Sequence, residues 1–519
     1  MGDKVKNASI PLLESSSTGT ASKFQTLGNI IVSVVGTGIL GLPFAFRIAG
    51  WLAGSLGVII AGIATFYCML LLVQCKEKLA SQELTPETET YGDLGYKCMG
   101  NTGRYLTEFL IFTSQCGGAV AYLVFIGQNL SSVFKGHGIS SSSFIFLLVP
   151  IEIALSWINS LSSLAPFSIF ADTCNVLAMA IVVKEDVDKV ISGEFRFSER
   201  KAITSSIGGL PFAGGMAVFC FEGFGMTLSL EASMKERGGF SSLLASALTG
   251  ITLVYVLFGF SGYMAYGDET KDIITLNLPH NWSTIAVQVM CSRLSAICLP
   301  YLSTLSLSSI IVIRYPSPVG TDCLFASNFY QNPYGRHRST CISMYLYTVK
   351  LCYLACVPTY KLWDIRLNNC KGCHGHANLC ANWQQVGLCL GLAFTFPIMA
   401  HPIHEIVEGK LKNSEWFRTV CYKDGENPTL VGKFGRYLSR ATLIVVLAFL
   451  ASFVPGFGEF ASLVGSTLCA LISFVLPATF HLKLLGPSLR LWQKALDYIF
   501  LIGGLLFAAY GTWSSIVGF

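Results

Sequence analysis

An apolar run over residues 24–46 contains a stretch that is poorly suited to a continuous helix. The stretch is 36–43, with the sequence GTGILGLP, and it combines three glycines with a proline. Glycine and proline are weak helix formers, so the pattern predicts a break that leaves backbone N–H groups without helical partners. Free N–H groups at the start of a following half-helix bind a carboxylate well. The alternative is that these small residues only allow close helix packing.

A second stretch places a carboxylate among aromatic residues in an apolar segment. It is 219–225, with the sequence FCFEGFG, and it follows the glycine-rich segment 208–215. An ionisable group in such a segment is costly to bury, so Glu222 is a candidate proton carrier. Its alternative role is to hold a broken helix by accepting backbone N–H bonds. The rings of Phe219 and Phe221 are candidates for the wall of an apolar pocket.

The composition indicates a membrane protein. Of 519 residues, 52% are hydrophobic and only 13% are charged, and the mean hydropathy is +0.57. Soluble domains have about 25% charged residues. The net charge of +5 is small and no basic-aromatic patch is present, so we expect no nucleic-acid partner. The chain lacks a Gly-Lys-Ser/Thr nucleotide loop and any soluble-enzyme constellation, which argues against an ATP-driven pump and against an enzyme.

Apolar runs of about 20 residues can cross the hydrocarbon layer of a membrane, and the chain contains eleven candidates. The predicted spans are 24–47, 51–75, 103–134, 141–161, 164–183, 207–232, 241–264, an eighth split between 283–288 and 386–400, 437–455, 456–482 and 495–517. Lys and Arg are concentrated in the loops on one side, which predicts a cytosolic N-terminus. The fold class is therefore an all-α polytopic membrane protein.

The positions of the breaks predict an internal repeat. An odd number of spans with a break in the first is typical of an inverted repeat, in which a second set of five spans repeats the first five in inverted orientation and one further span is added. The sixth span is predicted to be broken as well, over 208–215 and 219–225. Interrupted segments in corresponding positions of two halves point to a transporter binding site.

One segment differs from the rest of the chain. Residues 289–385 hold half of the chain's 18 cysteines and only two acids, and they interrupt an apolar stretch. Without them, 283–288 joins 386–400 into one span of membrane-crossing length. The codons for Val289-Met290 and for Gln385 are compatible with a splice donor and acceptor. We therefore interpret 289–385 as a retained intron or a gene-model error.

The predicted organisation has four parts. Residues 1–23 form a disordered cytosolic tail, 24–288 hold spans 1–7 and the start of span 8, 289–385 are the atypical insert, and 386–519 hold the remainder. The insert contains the motif CKGCH at 370–374, which has the form of a haem attachment site. The segment lacks clear periodicity and its cysteines are scattered, so we expect neither haem nor metal, and no cofactor.

Four stretches carry a family resemblance. They are GTGILGLPFAF from residue 36, FEGFGMTLSLE from residue 221, MAYGDETKDIITLNLP from residue 264 and FPIMAHPIHEIVE from residue 396. Together they resemble the amino acid/auxin permease family, and within it the plant vacuolar neutral amino acid transporters, which are similar to animal proton-assisted transporters. The resemblance covers about 24–288 and 386–517. Family members lack 289–385.

The resemblance implies an eleven-helix LeuT-type fold with helices 1 and 6 broken, and proton-coupled amino acid movement. It implies that the substrate carboxylate lies at the first break, on Gly36, Thr37, Gly38, Ile39 and Leu40. It implies that the amine and side chain lie near the sixth break, which includes Phe219, Phe221 and Gly223. From its position midway along span 3, Tyr122 is a candidate hydroxyl partner of the substrate, or an ordinary buried hydrogen-bonding residue.

The functional prediction is a proton-coupled secondary transporter of neutral amino acids. We expect it to act as a monomer in the vacuolar membrane rather than the plasma membrane, and to move substrate from an acidic lumen to the cytosol. Glu222 is the predicted proton-coupling residue. Two alternatives stay open: an amino acid sensor that signals without turnover, and a splice product that has lost transport.

The interpretation of 289–385 makes a testable prediction. Transcripts and mature protein should lack this segment, and peptide mapping should recover a junction between 288 and 386. The interpretation is refuted if transcripts and mature protein both contain 289–385.

Overall fold

The computed structural model describes ten stretches of the chain. They are 19–82, 90–134, 138–157, 161–193, 197–204, 208–278, 374–413, 422–423, 427–428 and 430–517. The first 18 residues of the predicted tail lie outside the described residues, and so do the predicted half-span 283–288 and the insert up to residue 373.

The described residues are almost entirely helical. The α-helices are α1 Lys23–Val34, α2 Leu42–Ala49, α3 Trp51–Gln82, α4 Tyr91–Val133, α5 Ser141–Ser156, α6 Leu161–Ile191, α7 Gly209–Cys220, α8 Phe224–Ser233, α9 Phe240–Tyr266, α10 His374–Asn413, α11 Leu430–Ser452, α12 Phe457–Val464, α13 Leu476–Leu485 and α14 Leu491–Val517. Two short strands, β1 Tyr422–Lys423 and β2 Asn427–Pro428, pair antiparallel.

Seven of the described helical segments are long and apolar enough to cross a membrane, and a bent pair at 23–34 and 37–49 makes an eighth. Helix α5 is apolar but shorter. Helix α6 contains predicted span 5 and is 31 residues long, and α10 contains the second part of predicted span 8, residues 386–400, and is 40 residues long. The protein is an all-helical polytopic membrane protein, while the count of eleven spans and the repeat stay predictions.

The first span is interrupted. Helix α1 ends at Val34, Val35 and Gly36 are extended, and a 3₁₀ turn over Thr37–Gly41 leads into α2. The two halves are bent by 45°. Pro43 lies in the first turn of α2, where a backbone N–H would have no helical acceptor, so the absence of an N–H in proline removes no hydrogen bond. The break is therefore shorter than the predicted stretch 36–43.

The sixth span is interrupted only between α7 and α8, at residues 221–223. The prediction that the break already begins at 208–215 is wrong, because α7 continues through these glycines. Because glycine has no side chain, these residues instead allow neighbouring helices to approach α7 closely. A Cβ at Gly215 would lie 2.5 Å from the backbone oxygen of Ser462 on α12.

Span 10 changes its helical pitch beside that contact. Between α12 and α13 the chain forms two π-helical turns, Gly465–Cys469 and Leu471–Val475. A Cβ at Gly465 would collide with the backbone oxygen of Gly215. The two glycines thus let α7 and the first π-turn touch backbone to backbone, and π-turns are frequent at functional sites.

The eighth helix differs from its predicted limits. The predicted boundary between 385 and 386 lies inside α10, which is continuous from His374. Residues 374–385 contain Ala, Leu and Gln, which are compatible with a helix. The helix therefore reaches membrane-crossing length without 283–288. Whether 289–385 belongs to the mature protein stays a prediction.

The chain divides into two compact units. The first comprises 1–157, 182–278 and 396–519, and it contains the interrupted spans and α11–α14. The described part of the second unit consists of the N-terminal parts of α6 and α10, residues 161–181 and 374–395.

The Gly215–Gly465 contact predicts a site-specific loss of stability. Gly465→Ala should destabilise the protein by about 1–3 kcal/mol, because the added methyl group has no space between α7 and the π-turn. The thermal unfolding midpoint of the detergent-purified protein measures this change. Gly503→Ala on α14 is the control, because no atom lies within 4 Å of its Cβ position. Equal unfolding midpoints for the two variants would contradict the packing account.

Candidate functional site

A single hydroxyl group ties the two breaks together. Tyr255 on α9 is fully buried, and its hydroxyl oxygen lies 3.1 Å from the backbone oxygen of Val34 and 3.0 Å from that of Cys220. These residues end α1 and α7, where carbonyl groups lose their helical partners. The hydroxyl has one proton and donates to one carbonyl at a time. Tyr255 therefore holds both helix ends at one point.

Glycines let the two interrupted spans approach each other. A Cβ at Gly38 would lie 3.0 Å from the sulfur of Cys220 and 3.3 Å from the ring of Phe219. A Cβ at Gly223 would lie 3.0 Å from a methyl group of Val34. The structure thus brings the predicted site residues Gly38 and Phe219 together, and it places Gly223 beside the end of α1.

The 3₁₀ turn supplies the amides of the first break. Residues 37–41 are all buried, and the first N–H groups of a helical turn have no acceptor within the turn. At Gly36 a Cβ would meet only the hydroxyl of Tyr122, at 3.9 Å. The predicted residues Gly36 and Tyr122 are therefore neighbours, whereas Thr37, Ile39 and Leu40 are buried within the turn, the last two fully.

The two predicted aromatic residues face different neighbours. Phe219 lies beside Gly38 and makes an edge-to-face contact with Phe457 at a centroid distance of 6.4 Å. The ring of Phe221 packs on Tyr255 at 5.1 Å and approaches Gly62 of α3. Phe219 is thus adjacent to the amides of the first break, whereas Phe221 supports the break from the side of α3 and α9.

Glu222 projects toward the π-turns. The thiol of Cys469 hydrogen-bonds to its carboxyl group, and the hydroxyl of Ser114 on α4 lies 3.8 Å from that sulfur. The second carboxyl oxygen of Glu222 is buried without a hydrogen-bond partner among the described residues. A buried carboxyl oxygen without a donor is costly when charged, which makes this group suited to bind a proton.

The segment after α9 connects the second half of the first span, α2, to other helices. Asp272 accepts hydrogen bonds from Gln128 of α4 at 3.1 Å and from the backbone N–H of Phe457 at 3.2 Å. Arg47 of α2 donates to the backbone oxygen of Thr270 at 2.7 Å. The segment thus joins α2, α4 and the start of α12 at one end of the site.

The opposite ends of the half-helices are also joined. The backbone N–H of Ala21 donates to Ser233 at 2.9 Å, and Lys23 pairs with Glu236 at 2.9 Å. This partnership with Lys23 lowers the pKa of the Glu236 carboxyl. The pair is exposed, so it contributes little by itself. The start of α1 and the end of α8 are nevertheless adjacent. The two interrupted spans are therefore close to each other both at their breaks and at these ends.

Sequence reasoning did not identify Tyr255, Cys220 or Cys469. Each is an ordinary residue of an apolar helix, and only the three-dimensional arrangement gives it a role. The sequence feature that could have indicated Tyr255 is its hydroxyl group, because a polar atom within an apolar segment must find a hydrogen-bond partner in the protein.

A helical membrane protein with two interrupted spans that meet at a buried centre has the architecture of a secondary transporter. The chain belongs to the family of transmembrane amino acid transporter proteins. The family model matches residues 19–300 and 375–517, and leaves 301–374 unmatched.

Named relatives share most of the chain. It is 54% identical to "Amino acid transporter ANT1" of Arabidopsis thaliana, over 99% of this chain and 97% of that protein. It is 30% identical to "Amino acid transporter AVT3B" of the same organism, over 96% and 93%. It is also 30% identical to the "Proton-coupled amino acid transporter-like protein pathetic" of Drosophila melanogaster, over 52% and 59%.

Solved structures give weaker similarity. A nucleobase-cation-symport-1 family transporter with bound bromovinylhydantoin has a TM-score of 0.42 at 11% identity, with 98% of this chain and 94% of that chain covered. A Na⁺-coupled sialic acid symporter has a TM-score of 0.36 at 10% identity, with 95% of each chain covered. Scores at this level do not establish a shared fold.

The geometry at Gly38 predicts a block of substrate binding. Gly38→Val should abolish amino acid binding, because its side chain would occupy the contact with Cys220 and Phe219. Binding to the purified protein is measured by scintillation proximity with a radiolabelled neutral amino acid. Gly28→Val in α1 is the matched control, since its Cβ position is open. Unchanged affinity in Gly38→Val would exclude the first break from the site.

Proposed function

We propose that the protein is a proton-coupled secondary transporter of neutral amino acids. The observation that carries the proposal is that the ends of α1 and α7 meet at the Tyr255 hydroxyl. The residues that follow these two ends include the predicted amides of the first break and the carboxyl group of Glu222. The family membership supports amino acids as the substrate class.

The substrate carboxylate binds at the first break. The amides of Gly36, Thr37 and Gly38 stabilise its negative charge, as the N-terminus of a half-helix does. Ile39 and Leu40 complete the turn. The hydroxyl of Tyr122 lies next to this position and is proposed as a further contact.

The amine and the side chain of the substrate bind at the sixth break. Backbone carbonyls at the end of α7 are acceptors for an ammonium group, and Phe219 covers an apolar side chain. Phe221 and Gly223 shape this break by packing on Tyr255 and Val34. Glu222 is the one acidic or basic side chain in 219–225, and 36–43 contains none, which favours neutral amino acids over cationic ones.

Glu222 carries the coupling proton. Its unpartnered oxygen favours the neutral acid within the protein, and exposure to water on one side allows the proton to leave. Proton binding and substrate binding then favour the same closed arrangement of the breaks. A ligand shifts a conformational equilibrium only through such a difference in affinity.

The transport cycle rocks the helices of spans 1, 2, 6 and 7 against the remaining spans. We propose that a monomer performs this cycle in the vacuolar membrane, with its N-terminus in the cytosol. In an acidic lumen the proton gradient then drives export of amino acid to the cytosol.

Uptake into proteoliposomes under an imposed pH gradient tests the proposal. The full chain and a version without 289–385 are compared. Gradient-driven accumulation in either supports the transporter, and accumulation by the shortened chain alone also supports a foreign insert. Binding without uptake in both would contradict the proposal and favour the sensor.

The proposed coupling role of Glu222 predicts that its replacement abolishes proton-driven accumulation of amino acid but not exchange of amino acid across the membrane. Glu222→Gln should abolish accumulation driven by the pH gradient, because the amide cannot bind the proton, while counterflow exchange of amino acid continues. Glu152→Gln on α5 is the matched control, since Glu152 is also a fully buried carboxyl without a hydrogen-bond partner among the described residues. Gradient-driven accumulation that persists in Glu222→Gln would remove this residue as the coupling site.

A further inference from the structure

A polar cluster lies among three helices on residues that the proposed substrate path does not use, with a buried pair at its centre, a half-buried Tyr67 and an exposed Gln74. His481 of α13 and Asp497 of α14 are 1% and 0% exposed. The histidine Nδ1 lies 2.6 Å from the Asp497 Oδ2. From α3, Tyr67 donates its hydroxyl proton to the Asp497 Oδ1 at 2.7 Å, and the Gln74 amide oxygen lies 3.1 Å from the His481 Nε2.

One orientation of the Gln74 amide fits the cationic imidazole. A carboxylate oxygen and an amide oxygen only accept hydrogen bonds, so with the Gln74 oxygen toward the ring both nitrogens of His481 donate. A ring that donates from both nitrogens is the imidazolium cation. The cluster is then a buried ion pair of His481 with Asp497, in which each charge compensates the other and is hydrogen-bonded.

The same side chains also accommodate the neutral ring. If the Gln74 amide turns by half a rotation, its NH₂ group donates to the His481 Nε2, while the Nδ1–H still donates to Asp497. The proton lost is the one on Nε2. The Asp497 carboxylate keeps its two donors, the Tyr67 hydroxyl and the ring N–H. The cluster therefore binds and releases one proton without leaving a buried polar atom unpaired.

Other ionisable groups near the pair come from every adjoining helix. Besides Tyr67, α3 contributes the thiols of Cys68 and Cys75, which interact electrostatically with Asp497. Helix α4 contributes Tyr91, which packs edge-to-face on Phe480, and the thiol of Cys98. The nearest lysines in sequence are Lys483, which is exposed, and the partly exposed Lys494. Thiols and phenols are ordinarily neutral near pH 7, so His481 and Asp497 are the charged groups at the centre.

Helix α3 connects this cluster to the breaks. Its Gly62 touches Phe221, and its Met69 lies 3.7 Å from the Cβ position of Gly223. Its Lys76 forms a buried ion pair with Glu231 of α8 at 2.5 Å. A displacement of α3 with the half-helices would therefore withdraw Tyr67 and Gln74 from His481 and Asp497.

We propose that Tyr67, Gln74, His481 and Asp497 form a second proton-binding site, separate from Glu222, whose occupancy follows the position of α3. With α3 in contact, the Gln74 oxygen and the Tyr67 hydroxyl stabilise the protonated ion pair. With α3 displaced, both contacts are lost and the Nε2 proton exchanges with water. The inference rests on the proposed transport cycle for the displacement of α3.

Histidine-selective ¹⁵N NMR of the detergent-purified full chain tests the site directly and does not require transport. The ring signals that disappear in His481→Gln are assigned to His481. Their ¹⁵N shifts distinguish the imidazolium from the neutral ring, and a titration over the pH range in which the protein stays folded should convert one form into the other. Gln74→Glu should move this conversion to higher pH by about one unit or more, because a carboxylate beside Nε2 stabilises the cation. Asp497→Asn should move it to lower pH.

Ser81→Glu is the matched control for Gln74→Glu, because it adds the same charge to an exposed position of the same helix. It should leave the conversion unchanged. Signals of His481 that stay in one form across this range, or that shift equally in Gln74→Glu and Ser81→Glu, would overturn the proposal.

The pH dependence of amino acid uptake links the site to the cycle. In proteoliposomes, Gln74→Glu should shift the midpoint of the pH profile of uptake in the same direction as the NMR titration. His481→Gln should remove the part of the pH dependence that follows the His481 titration. If the unmodified protein shows no gradient-driven uptake, the proposed transport function fails, while the NMR titration still decides the site. If uptake is normal but its pH profile is unaffected by either variant, the second proton site fails alone.

Discussion

The need to pair every backbone carbonyl in an apolar interior governs this structure. Where α1 and α7 stop, the carbonyls of Val34 and Cys220 lose their helical donors, and no water of the bilayer core replaces them. One hydroxyl, that of Tyr255, lies within hydrogen-bonding distance of both. Because it has a single proton, it favours neither break permanently. The position of the two breaks relative to each other therefore depends on α9, which lies in neither interrupted span.

The packing around the Tyr255 hydroxyl fixes the positions of the two breaks. Gly38 and Gly223 let the interrupted spans touch each other's side chains, and the contact of Gly215 with Gly465 fixes α7 against the π-turns. These π-turns also bring Cys469 to Glu222. The amides of the first break and the carboxyl group of the sixth are thus held by different neighbours. In the proposed transport cycle, this separation allows the amides to respond to substrate and the carboxyl group to respond to a proton.

Much of the architecture could be predicted from the sequence, because apolar length and glycine content act locally. The break after Val34 and the one at 221–223 both follow from such signals. The glycines at 208–215 gave the same signal and yet are helical. Their role depends on a partner helix, Ser462 and Gly465, that lies far away in sequence. Local propensity does not distinguish a glycine that breaks a helix from one that allows contact.

The polar centres were less accessible to sequence reasoning. Glu222 was recognised because its charge is unusual in an apolar segment. Tyr255, His481 and Asp497 gave no comparable signal, since each acquires its role from atoms on other helices. His481 and Asp497 lie near the ends of predicted spans, where ionisable residues ordinarily reach solvent. Only the structure places them together in the interior.

A structure of the protein with a bound neutral amino acid, determined by electron cryo-microscopy, shows whether the two breaks form the substrate site. We expect the substrate to lie between the two breaks, with its carboxylate at hydrogen-bonding distance from the N–H groups of Gly36–Gly38 and its side chain against Phe219. An amino acid bound elsewhere, with the amides of the first break facing only protein, would contradict it.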